Sequence, residues 1–67
     1  MTIPASGETR PYLGYVGRYA FDPREGVYRG RVIGIIDIVT FQSHTLGRID
    51  LEFCLAVDAY LDFKSRG

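Results

Sequence analysis

The chain is short of the groups that staple or power small proteins. Among its 67 residues there is one cysteine, Cys54, so neither an internal disulfide framework nor a cysteine-based zinc site is expected. There is one histidine, His44, and no tryptophan. Neither sign of charge is in excess, with eight Lys and Arg against eight Asp and Glu; nucleic-acid binders usually show a basic surplus or stripe. No apolar run nears the roughly 18 residues that a membrane span needs. The opening MTIPASGETRP lacks the charged-then-apolar order of a signal peptide. These absences predict a soluble domain in the reducing cytoplasm, with no membrane contact, no cofactor and no metal. A lone core below about 70–80 residues rarely supplies more than ~3–5 kcal/mol, so a second polypeptide is expected to help.

What is present reads as one α+β domain. Residues 1–11 hold Pro4, Ser6, Gly7 and Pro11 with one large apolar residue, Ile3, and predict a flexible N-terminal arm before a domain at 12–67. From Gly14, GYVGRYAFD puts Tyr15, Gly17, Tyr19 and Phe21 on one strand face and Val16, Arg18 and Ala20 on the other. DPREG then joins a proline that presets φ to a glycine that accepts positive φ, a hairpin turn. The second strand runs Val27–Ile33, GIID bends, and Ile38–Gln42 forms a third strand. Thr45 is the candidate N-cap of a helix. From there Leu46, Ile49, Phe53, Ala56, Val57 and Tyr60 fall in a stripe about 120° wide, as a sheet-packing helix requires. No strong i,i+4 acid-to-base pair is expected on it. The predicted fold is a three-stranded antiparallel meander with one helix across a face, β-β-β-α.

Glycine inside a strand weakens it, yet Gly17 and Gly30 both interrupt strand-like runs on the helix-facing side. If they lie close on paired strands, their missing side chains leave a trough in which a helix carrying Phe53 and Tyr60 can seat. The rival reading is a β-bulge at either glycine.

Leu51 and Leu55 project about 160° away from Phe53, with Cys54 and Leu61 flanking that edge. An apolar pair on an outer helix face points to contact with another chain, and Val16 and Ala20 are weaker signs of the same kind. A catalytic constellation is not expected: His44 beside Ser43 has no orienting acid, and Cys54 has no cation nearby to lower its pKa. Asp58 and Asp62 stand one turn apart, but two carboxylates alone bind a metal weakly. The sequence predicts no enzyme.

The run GYVGRYAFDPREGVYRGRVIGIIDIVTF resembles the N-terminal region of HicB-type antitoxins through Gly14, Tyr15, Gly17, Phe21, Asp22, Gly26, Tyr28, Gly30, Val32, Gly34, Ile35, Asp37, Thr40 and Phe41. FCLAVDAYLDF is similar to the family's helix through Phe53, Ala56, Val57, Tyr60, Leu61 and Phe63. The resemblance implies a partial ribonuclease-H-like fold that binds and blocks a small HicA-type toxin, an mRNA-cleaving ribonuclease. It implies no nuclease activity here, since Arg18, Tyr19 and Ala20 stand where ribonuclease H wants an acid in mid-strand. Many members add a DNA-binding domain and a strand after the helix. Neither is expected in this chain, which then makes no direct DNA contact and reads as a truncated antitoxin, a stand-alone member or an orphan.

In the ribonuclease-H arrangement the final strand would lie beside the strand at Val16–Asp22, so its loss would leave that edge open. Two such edges could pair into a homodimer, the residues before Pro11 could fold back over it, or a partner could add a strand. Leu51 and Leu55 replace residues commonly polar in the family, and TLGRID lacks an acidic first turn, which favours self-association into a homodimer or higher oligomer. The expected partner-binding residues are Leu51, Leu55, Asp58 and Asp62 on the helix and Val16, Arg18 and Ala20 at the strand edge. Acids suit a basic RNA-binding toxin. A small RNA-binding module using Tyr15, Tyr28, Arg29 and Arg31 is the alternative; a purely structural homo-oligomer is a third reading.

Overall fold

A computed structural model of the chain describes residues 6–66; the first five residues of the predicted arm lie outside them. Four antiparallel strands, β1 (Ser6–Glu8), β2 (Val16–Asp22), β3 (Val27–Ile33) and β4 (Thr40–Ser43), form one sheet in the order β1-β2-β3-β4. A 3₁₀ turn at Leu46–Arg48 leads into the helix α1 (Ile49–Arg66), which packs on one sheet face. The α+β class and the β-β-β-α run from β2 to α1 match the expectation.

The sheet has a strand more than predicted, and it comes from the segment read as a flexible arm. Ser6, Gly7 and Glu8 pair with Ala20, Tyr19 and Arg18. Leu13 and Gly14 make the return turn, both at positive φ (53° and 86°), the pattern of a type I′ hairpin; Tyr12 and Tyr15 exchange both backbone hydrogen bonds across it at 2.9 Å. Farther along, Thr9 N–H donates to the Gly17 carbonyl and the Gly17 N–H donates to Thr9 Oγ1, both at 2.8 Å. Arg10 and Pro11 therefore stand opposite Val16 alone, a bulge on the β1 side. The proline sits where it need not donate to the ladder.

The β2–β3 hairpin follows the sequence reading closely. Asp22 closes its turn twice, accepting Arg24 N–H at Oδ1 (3.0 Å) and Gly26 N–H at its carbonyl (2.8 Å). The third predicted strand begins later, at Thr40 rather than Ile38.

Gly17 and Gly30 do form a trough. A Cβ at Gly30 would meet Phe41 Cζ at 2.5 Å, and one at Gly17 would meet both Phe41 and Phe53 Cδ1 at 2.8 Å. The occupants are thus Phe41 and Phe53, packed edge to face with centroids 5.5 Å apart. Tyr60, the other expected occupant, lies elsewhere, against Tyr15. Tyr28, Val32, Phe41, Ile49, Phe53 and Val57 form the core.

Two expectations for the helix are corrected. The α-helix proper starts at Ile49, so Asp50 and Glu52 occupy its first turn and Lys64 and Arg66 its last, the arrangement that suits the macrodipole. Asp62 and Arg66 also make an i,i+4 acid-to-base pair at 3.3 Å. Thr45 has the extended backbone of an N-cap, but its side chain makes no capping bond.

Candidate protein-binding surface

The predicted partner-binding residues fall on opposite sides of the molecule. Gly17 and Phe41 touch Phe53 beneath the helix, so the alternating residues Val16, Arg18 and Ala20 belong to the far face of the sheet. Leu51 and Leu55 belong to the outer face of α1. The structure does not join the two groups into one surface.

On the helix, Leu51 and Leu55 are 49% and 52% exposed, one turn apart, as their angle from Phe53 requires. Cys54 and Leu61 instead lean on the core. Acids frame the leucines: Asp50, Asp58 and Asp62 are all exposed. Asp58 is held in place, because the Tyr12 hydroxyl donates to its Oδ1 at 2.8 Å, and this bond lifts the Tyr12 phenol above its ordinary pKa. The helix thus presents a fixed acidic and apolar strip.

The strand-edge group is corrected. β1 covers the edge at Arg18 and Ala20, and Arg18 donates to Glu8 Oε2 at 3.0 Å. Of the three outcomes that an open edge allowed, the fold-back of residues before Pro11 is the one observed, and β2 is not free to pair with a copy of itself at these positions.

A second apolar cluster escaped the sequence reading. Ile38 is 84% and Phe63 71% exposed, and Ile36 is bare to solvent. A groove of about 440 Å³ runs between this loop and the helix, lined by Ile38, Val39, Thr40, Ala56, Ala59 and Phe63 together with Asp37 and Tyr60. The loop is latched to α1 by Tyr60, whose hydroxyl donates to Asp37 Oδ2 at 2.9 Å, and by Lys64 Nζ, 3.6 Å from the same carboxylate. Ile36 falls in the predicted bend and Ile38 in the predicted third strand, and nothing local to the sequence marks them as bare.

Among the described residues, Ser43, His44 and Cys54 do not form a shared cluster. The Ser43 hydroxyl donates to the Thr45 carbonyl (2.8 Å) and accepts its N–H (3.2 Å), so it is engaged with backbone rather than with His44. Burial, with Asp50 and Asp58 nearby, pushes the Cys54 thiol up, away from the reactive thiolate. Among the described residues no three His, Cys, Asp or Glu side chains gather as a metal site. No described helix is long and apolar enough to cross a membrane.

The residues of the RNA-binding alternative are also separated. Tyr28 is buried in the core on the helix side, whereas Arg29 projects from the other face, paired with Glu25 (3.0 Å) and Asp22 (3.4 Å). No family model, curated protein or solved structure matches the chain.

Proposed function

We propose that the domain works by binding another protein, as a non-catalytic HicB-like antitoxin domain that covers the RNA-binding and catalytic surface of a small basic HicA-type toxin. The observation that carries this reading is the pair Leu51 and Leu55, exposed and framed by acids on a rigid helix. An apolar centre with an acidic rim suits a basic partner, because complementary charge speeds encounter and rejects wrong partners.

The resemblance is supported by the way its residues interlock. Gly17, Gly30, Phe41 and Phe53 make the trough, Asp37 and Tyr60 make the latch, and Gly14, Gly26 and Gly34 all sit at positive φ. The partial ribonuclease-H-like fold belongs to the same proposal: β1 stands beside β2, where that arrangement places a strand following the helix.

The test is to co-express the chain with a small basic HicA-type ribonuclease. Stable co-purification and suppression of that protein's RNA cleavage are expected, with both lost in Leu51→Asp/Leu55→Asp. Unaltered cleavage in the presence of excess chain would refute the reading.

A further inference from the structure

The sheet has two outer edges, and they differ. β1 is three residues long, carries the Glu8–Arg18 ion pair at its end and runs into the bulge at Arg10 and Pro11. Charge, brevity and proline are the usual guards of an edge. β4, at the other side, is also short at four residues but lacks the other two guards: Thr40, Phe41, Gln42 and Ser43 hold no charge and no proline, and no described strand lies beyond it.

The direction of its backbone groups follows from the register. Val32 N–H donates to the Val39 carbonyl at 2.9 Å, and hydrogen-bonded pairs alternate along an antiparallel ladder. Phe41 and Ser43 therefore turn their N–H and C=O toward Gly30 and Tyr28 of β3. Thr40 and Gln42 turn theirs to the open side, two donors and two acceptors in a row. Beside them lies the groove floored by Ala56 and Ala59 and bounded by exposed Ile38 and Phe63.

We propose that β4 is the edge at which two copies of this chain join, pairing antiparallel about a two-fold axis at Phe41 to make one continuous eight-stranded sheet. In that register Thr40 of each copy faces Gln42 of the other, and the four outward backbone groups on each side are matched without a shift. A second copy is the occupant that the register favours, because the outward groups of Thr40 and Gln42 are self-complementary about Phe41, and no charge sets two copies against each other. The paired positions are neutral, the chain carries no net charge, and Asp37 and Lys64 at the end of the groove already neutralise each other. A two-fold contact also covers Ile38 and Phe63 of both copies at once, which a lone peptide would not. This inference does not rest on the toxin reading, whose surface is the outer helix face.

The experiment uses the full chain. Sedimentation equilibrium from micromolar to near-millimolar concentration should show a dimer, twice the 7.5 kDa chain. Amide exchange at Thr40 and Gln42 should slow as concentration rises. Ile38→Glu changes an exposed side chain and should weaken association by about tenfold or more. Gln42→Pro removes an outward N–H without touching the β3 ladder and should abolish it, and circular dichroism identifies whether that variant is folded. A monomer throughout the range overturns the proposal. So does a dimer that keeps Thr40 and Gln42 fast-exchanging, or one that is broken only by Leu51→Asp/Leu55→Asp.

Discussion

Gly30 lies directly opposite Phe41 in the pairing of β3 with β4, and the Phe41 ring fills the space that a side chain at Gly30 would need. The ring also covers Gly17, so one aromatic joins three strands beneath the helix. A strand position that looks weak in the sequence is therefore the floor of the core.

Gly30→Ala should destabilise the fold, and Gly30→Val more so. The added carbon meets not only the ring but the Arg18 carbonyl at 2.8 Å, and backbone cannot swing aside as a side-chain tip can. Overpacking of this kind costs about 1–3 kcal/mol, and each kcal/mol lowers the melting temperature of a domain this size by roughly 4–8 °C. Thermal and urea unfolding followed by circular dichroism check it; an unchanged midpoint would contradict the close packing of Gly30 on Phe41 and the Arg18 carbonyl.

Thr9→Val should cost about 1–3 kcal/mol by leaving the buried Gly17 N–H without an acceptor. Thr9 is itself buried at 6% exposure, and its hydroxyl stands in for a ladder carbonyl. Thr9→Ser should keep most of the stability, since it keeps the oxygen. Amide exchange at Gly17 separates the two variants: fast in the first, slow in the second.

The alkaline limb of stability should be steeper than for a chain without the two tyrosine–aspartate contacts. The hydrogen bond to Asp37 raises the Tyr60 pKa, and the bond to Asp58 raises that of Tyr12, both above the ordinary phenol value. A folded-state pKa above the unfolded one means that the folded chain holds its proton more tightly. The contribution is therefore complete below about pH 10 and fades as pH rises through the folded values. Tyr12→Phe/Tyr60→Phe should be less stable at neutral pH and show a flatter decline above about pH 10, read from urea midpoints at a series of pH values.

Much of the frame was legible because local signals and packing agree. Val27–Ile33, the turn from Asp22 to Gly26, the paired glycines and the stripe Ile49, Phe53, Val57 each carry a period or a turn chemistry that survives into the structure. β1 was not legible. Ser6–Glu8 has no apolar alternation, and what holds it is a turn through Leu13 at positive φ and a threonine hydroxyl. The site divided in the same way. An angle on a helix sufficed for Leu51 and Leu55, whereas the partner of Asp58 lies 46 positions away. Ile36 and Ile38 flank Asp37, whose contact with Tyr60 forms only once the helix is docked, so their exposure was not legible from local pattern.

Calorimetric titration of the chain with a small basic HicA-type ribonuclease tests the central claim most directly. Saturable binding that Leu51→Asp/Leu55→Asp abolishes and Ile38→Glu leaves intact is the expected result. Heat changes no larger than dilution, from two folded proteins at concentrations well above micromolar, would contradict it.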